Sequence, residues 1–218
     1  MKTIFLCILA LLSAAYLVSL FFERGKFQAI AKICLMPVII AVYVTGTGQI
    51  FIPLVIALLF GWLGDILLLK IKEILFFRLG LASFLLGHLI YIFVMLYFAG
   101  KINVTLLVIS LLAYAVAGVF IIRLIKPSKE MYLPVLIYET VILLMAVSAI
   151  QFFTVYGSPN GLLVLSGSVC FIVSDTLLAI YTFHSKPKIF YFFVMLTYIA
   201  AQLCIVLGLS AVAIWGIW

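Results

Sequence analysis

Long apolar runs alternate with short polar breaks along the whole chain, and the spacing of the breaks predicts eight helices. The runs cover roughly 4–22, 28–45, 51–69, 75–98, 103–123, 131–153, 161–182 and 189–215. Each is close to the ~20 residues that a helix needs to cross the hydrocarbon of a bilayer. The breaks carry charge or turn formers: Glu23-Arg24-Gly25-Lys26, Thr45-Gly46-Thr47-Gly48, Lys70-Ile71-Lys72-Glu73, Lys126-Pro127-Ser128-Lys129-Glu130, Gly157-Ser158-Pro159-Asn160-Gly161 and Ser185-Lys186-Pro187-Lys188. Strict apolar–polar alternation, the mark of a barrel strand, is missing. The pattern predicts an all-α fold, a polytopic membrane bundle of eight transmembrane helices. It is expected to form a single integral membrane domain over 1–218, with no stretch left for a soluble one. In the first run an apolar core follows Lys2 and is itself followed by Ser13-Ala14-Ala15, as in a signal peptide. Its length, with Arg24 and Lys26 directly after it, favours a retained helix.

Composition agrees. The chain is 69% hydrophobic and 9% charged, where an ordinary soluble domain is about half apolar and a quarter charged. The net charge of +7 does not point to nucleic acid, because the basic residues sit in short loops. Arg24, Lys26, Lys70, Lys72, Arg78, Arg123, Lys126, Lys129, Lys186 and Lys188 fall at the first, third, fifth and seventh loops, against Lys2 and Lys101 on the other side. The positive-inside rule makes those four loops cytoplasmic and both termini non-cytoplasmic. The expected location is a bacterial inner membrane. Asn103-Val104-Thr105 is a formal glycosylation sequon, but it hugs a helix start. Cys7, Cys34, Cys170 and Cys204 lie inside apolar runs without disulfide or metal spacing and read as small packing residues.

Polar residues inside the runs are the candidate chemistry, because ionisable groups in hydrocarbon cost a few kcal/mol or more. Asp65 in Gly64-Asp65-Ile66-Leu67-Leu68 and Asp175 in Ser174-Asp175-Thr176-Leu177-Leu178 occupy matching positions. Each is followed 23 residues later by a polar ring, His88 and Tyr198. An offset of 110 residues relates both pairs, suggesting two parallel four-helix repeats with one carboxylate per half. Lys32, Tyr138, Glu139, Tyr91 and Gln202 join them by depth. At 1.5 Å per residue all lie in the cytoplasmic half, although odd and even spans run in opposite directions. This convergence implies a polar pocket inside the bundle. His88 with Tyr91, and Tyr198 with Gln202, share helix faces. Ser166, Cys170 and Ser174 form a small-residue stripe, and Gly61 and Gly64 flank Asp65, so the aspartates should face neighbouring helices.

Blander roles exist for each. The aspartates can form structural ion pairs or hydrogen bonds between helices. Lys32 can snorkel to the interface; Glu139 can face a vestibule. His88 and Gln202 can hydrogen-bond between helices, and Tyr91, Tyr138 and Tyr198 can simply pack. The phenylalanines read as lipid-facing bulk. No nucleophile elbow, phosphate loop or dinucleotide fingerprint occurs, and His88 and His184 cannot make a three-histidine zinc site. No metal and no cofactor is implied. Carboxylate chemistry remains, with one carboxyl protonated as acid and another ionised as base. A proton-coupled transporter or a non-catalytic lipid-binding bundle would suit the same composition.

Gly64-Asp65 with Leu67-Leu68, Gly87-His88 with Tyr91, Ser174-Asp175 with Leu177-Leu178, and Tyr198 with Gln202 resemble the YhhN-like lysoplasmalogenase family. Lys32 and Tyr138 also fit, and the resemblance covers nearly the whole chain in order. One departure is local: the family often has proline directly after the lysine of span two, whereas here Pro37 comes five residues later. The resemblance implies hydrolysis of the vinyl ether bond of a lysophospholipid substrate drawn from the membrane. The products would be a fatty aldehyde and glycerophosphoethanolamine or glycerophosphocholine. It makes Asp65 and Asp175 the expected catalytic pair. Lys32 would meet the phosphate, and His88, Tyr138 and Tyr198 would orient water or tune the acid. Tyr91, Glu139, Ser174 and Gln202 complete the expected substrate-binding or orienting set.

Overall fold

The computed structural model describes residues 1–22, 25–184 and 186–213. Glu23, Arg24, Ser185, Trp218 and the last two positions of the eighth predicted run lie outside the described residues. Every predicted run is a helix: α1 Lys2–Ser19, α2 Gly25–Gly46, α3 Ile52–Leu67, α4 Ile74–Ala99, α5 Val104–Ile125, α6 Lys129–Tyr156, α7 Asn160–Phe183 and α8 Lys188–Ala213. A 3-10 turn, Leu68–Lys70, tightens the end of α3. All eight helices are long and apolar enough to cross a membrane, and no strand occurs among the described residues. Asn103 is the N-cap of α5, its side chain accepting from the Leu106 amide at 3.1 Å, which satisfies an otherwise orphaned donor.

Two prolines inside helices show how the bundle is fixed. Proline has no N–H, so it leaves the carbonyl four residues earlier without its helical partner. Pro37 in α2 frees the Ile33 carbonyl, and the Trp62 indole of α3 donates to it at 2.9 Å. Pro134 in α6 frees the Glu130 carbonyl, and Arg78 of α4 donates to it at 3.2 Å. In each case the gap in one helix is the anchor for another: the Ile33 carbonyl lies within the bundle, where it must find a donor, and the Glu130 carbonyl lies exposed in the first turn of α6.

Helices α1 with α2, α3 with α4, α5 with α6 and α7 with α8 pack as neighbours. Helix α2 also packs on α3 and α8, and α6 packs on α7 and α4. The second helix of each half therefore touches the fourth helix of the other half. Helices α6 and α8 are the most enclosed. Helix α5 stands at the edge, with only Ser110 and Ile125 buried.

The small face of α7 differs from the expected stripe. Ser166 is exposed and Cys170 only partly buried, while Gly167, Ser168 and Ser174 are buried. A methyl group on Gly167 would stand 2.8 Å from the Ala201 carbonyl oxygen of α8, so the glycine is what lets α7 and α8 approach so closely. The phenylalanines also divide. Phe77, Phe84, Phe98, Phe152 and Phe171 are buried in the core rather than facing lipid. Phenylalanine suits lipid and core equally, so its type alone gives no direction.

Candidate active site

Helix α8 presents one face to the site. Tyr191, Tyr198 and Gln202 stand seven and four residues apart, two turns and then one along the same face, and each meets a polar group from another helix. The Tyr191 hydroxyl accepts from Lys32 Nζ of α2 at 3.2 Å. The Tyr198 hydroxyl donates to Asp65 Oδ2 of α3 at 2.7 Å. Gln202 Oε1 accepts from the Tyr91 hydroxyl of α4 at 2.7 Å, and its amide lies against the Tyr198 hydroxyl. Lys32 Nζ stands 3.4 Å from Asp65 Oδ1. Lys32 is therefore not snorkelling; its ammonium is buried between a carboxylate and a phenol.

The second aspartate has a different shell. Asp175 of α7 is half-buried, and the Tyr138 hydroxyl of α6 donates a short hydrogen bond to its Oδ2. Among the described residues no cation pairs with it. Ser174 donates to the Val194 carbonyl at 3.0 Å and ties α7 to α8. His88 sits beside Tyr138 in an aromatic enclosure, its ring 4.7 Å from Phe171 and 5.6 Å from Tyr138, centroid to centroid. Neither ring nitrogen has a hydrogen-bond partner among the described residues, so an interhelical hydrogen bond is not its role. Glu139 is buried too, with both oxygens unpartnered among the described residues.

The sequence carries no mark for Tyr191, Phe84 or Phe171, which complete this arrangement. Phe84 packs edge-on to Tyr198 and stacks on His88. Phe84 also lies so close to α3 that a methyl group on Gly64 would stand 2.5 Å from its ring. Residues 27–209 match the sequence pattern of the YhhN family. The chain belongs to the YhhN family. No curated protein and no solved structure matches it.

In this YhhN bundle the two aspartates line one narrow cavity, with Lys32, Phe84, Tyr191 and Tyr198 in its wall. Two wider spaces adjoin it. On the Asp65 side, Lys32, Leu68 and Tyr191 are shared with a polar pocket that also has Tyr16, Gln28 and Lys188 in its wall. On the Asp175 side, Phe84, Leu178 and Asp175 are shared with an apolar cleft lined by Phe77, Tyr138 and Glu139. The two carboxyl groups thus stand between a pocket with tyrosine, glutamine and lysine side chains in its wall and an almost wholly apolar cleft.

Proposed function

We propose that this YhhN protein is a lysoplasmalogenase. It hydrolyses the vinyl ether bond of lysoplasmalogens to a fatty aldehyde and glycerophosphoethanolamine or glycerophosphocholine, using Asp65 and Asp175. The observation that carries the reading is the asymmetry of the pair: two carboxyls share one cavity, and among the described residues only Asp65 has a cation, Lys32. Family membership supports it, since the YhhN family is associated with this activity.

The asymmetry supports a division of roles. Lys32 stabilises the charged form of Asp65, making it the base. Like charges sharing a site disfavour double ionisation, so Asp175, which faces the apolar cleft, carries the proton. Asp175 gives that proton to the β-carbon of the vinyl ether, forming an oxocarbenium ion. Asp65 takes a proton from water reaching it through the polar pocket, and the water oxygen bonds to the cationic carbon to give a hemiacetal. In the second stage Asp65 returns its proton to the ether oxygen, Asp175 removes the hemiacetal hydroxyl proton, and the carbon–oxygen bond breaks. Aldehyde and glycerol hydroxyl leave, and both aspartates regain their starting states. Two carboxyls flanking an oxocarbenium-like centre follow the same logic in inverting glycosidases.

The end of the bundle bearing Lys70, Lys72, Lys126 and Lys188 is proposed to face the cytoplasm. Purified protein in detergent should release aldehyde from a lysoplasmalogen without an added ion or cofactor. A protein that instead moves protons or lipid across proteoliposomes and releases no aldehyde would overturn the hydrolase reading.

A further inference from the structure

Glu139 takes no part in the carboxyl pair, yet it is 6% exposed and both its oxygens are unpartnered among the described residues. A buried polar group in that state is a costly arrangement unless something outside the chain completes it. It stands about 100° around α6 from its neighbour Tyr138, so while Tyr138 turns to Asp175, Glu139 turns to α5. A methyl group on Gly118 of α5 would lie 3.6 Å from Glu139 Oε1.

Beside it runs a groove between α5 and α6. Its body is apolar, with Leu111, Ala115, Leu144 and Val147, and its mouth at the basic end holds Arg123, Lys126 and Tyr132. Glu139 and Leu143 form a common wall between this groove and the apolar cleft of Asp175. Neither Arg123 nor Lys126 pairs with an acidic side chain among the described residues. One groove thus presents, in order, two cations, a buried hydrogen-bond acceptor and an apolar track. That order is the chemistry of a glycerophospholipid with one chain: phosphate, free glycerol hydroxyl, hydrocarbon.

We propose that the α5–α6 groove binds a single-chain glycerophospholipid from the adjoining leaflet. Arg123 and Lys126 take the phosphate. Glu139 accepts from the free sn-2 hydroxyl, and the chain lies along Leu111, Ala115 and Val147. Gly118 and Arg123 are five residues apart, about 7–8 Å along the axis, a gap the long Arg123 side chain can close. Glu139 then selects lyso over diacyl lipid, because an esterified sn-2 oxygen has no proton to donate and carries a second chain into the space beside the carboxyl. The phosphate role anticipated for Lys32 passes to these two residues, since Lys32 is engaged by Asp65 and Tyr191. Binding stands on the groove alone; only the placing of the reacting bond, one carbon from the sn-2 position and against the Asp175 cleft, rests on the hydrolase reading.

The test is a native mass spectrometry titration of the full-length protein with palmitoyl lysophosphatidylethanolamine, which has an ester in place of the vinyl ether. Monopalmitoylglycerol lacks the phosphate, and dipalmitoylphosphatidylethanolamine lacks the free hydroxyl. The lysophospholipid should bind roughly tenfold or more tightly than either comparator, in line with charge-assisted hydrogen bonds. Arg123→Ala with Lys126→Ala should remove the preference over monopalmitoylglycerol, and Glu139→Leu the preference over the diacyl lipid. Gly118→Leu fills the groove from α5 and should weaken lysophospholipid binding even if Glu139→Leu does not fold. Wild-type lysophospholipid affinity in the Gly118→Leu or Arg123→Ala/Lys126→Ala protein would overturn the site. Groove-dependent binding without aldehyde release from a lysoplasmalogen would overturn the hydrolase reading and keep the site. Undiminished aldehyde release by Gly118→Leu would do the reverse.

Discussion

Lys32 Nζ lies 3.4 Å from Asp65 Oδ1, with both side chains almost fully excluded from solvent. The pair joins α2 to α3 in the interior of the bundle, and Tyr191 and Tyr198 of α8 complete it. Two opposite charges buried together are tolerable; one alone is not. Removing a single partner of a buried pair typically costs about 3–5 kcal/mol, whereas removing both costs much less.

Lys32→Met should therefore destabilise the protein by about 3–5 kcal/mol and reduce aldehyde release roughly a hundredfold or more, because the base loses its counter-ion. Adding Asp65→Asn to it should recover most of the thermal stability and none of the activity. Melting curves in detergent, with the aldehyde assay alongside, separate the two effects. A double variant as active as wild type would show that Asp65 only holds helices together.

Asp175→Asn should leave folded protein close to wild-type amount, since amide replaces acid nearly isosterically and Tyr138 keeps an acceptor. Its turnover should fall roughly a hundredfold or more. Combining it with Asp65→Asn should be little worse than either alone, because groups acting as a unit are not additive. Tyr138→Phe removes one hydrogen bond but no proton of the cycle, and should cost about tenfold. Rates measured on protein of matched folded fraction check the ranking.

The Trp62 indole and the Ile33 carbonyl form a second testable pair. Trp62→Phe keeps an aromatic ring but strands the carbonyl that Pro37 leaves free. A buried unsatisfied acceptor costs about 1–3 kcal/mol. Pro37→Ala in the same chain restores an amide for that carbonyl and should recover the loss. A stability cycle over the four proteins reads the coupling directly. Additive losses would mean that the two residues do not share the carbonyl.

Much of this was legible in the chain and some was not, for definite reasons. Hydropathy marked the helices because a bilayer demands a fixed apolar length, and that demand also made Asp65 and Asp175 conspicuous. Depth along a helix follows from counting residues, so the level at which the polar groups gather was visible. Their partners were not, because rotation about the helix axis and neighbour identity come from packing. Nothing in the sequence says that Tyr198 serves Asp65 while Tyr138 serves Asp175. Tyr191 resembles any aromatic near a membrane surface. The buried phenylalanines Phe84 and Phe171 are indistinguishable by type from lipid-facing ones. The Trp62 contact did leave a signal: a proline inside a helix announces a free carbonyl four residues before it.

Gly167 tests the packing that brings Tyr198 to Asp65. A β-carbon there would stand 2.7 Å from Ile205 Cγ1 and 2.8 Å from the Ala201 carbonyl. Gly167→Val should push α7 from α8, lower stability by about 1–3 kcal/mol and reduce activity through the displaced aspartate cavity. Gly48, with nothing within 4 Å of a Cβ among the described residues, should accept alanine with little change in melting temperature. Gly100, where a Cβ would also be free of contacts among the described residues, has φ +64 and should lose stability on change to alanine.

The proposed reaction turns on protonation of a vinyl ether carbon between two aspartates. The most direct test is to run the purified enzyme on a lysoplasmalogen in heavy water, trap the aldehyde as it forms and weigh it. Protonation by Asp175, whose proton exchanges with solvent, predicts one deuterium on the carbon next to the aldehyde carbonyl, and Asp175→Asn should suppress formation of that labelled product. Aldehyde without deuterium at that carbon, or no aldehyde from folded wild-type protein, would rule this reaction out.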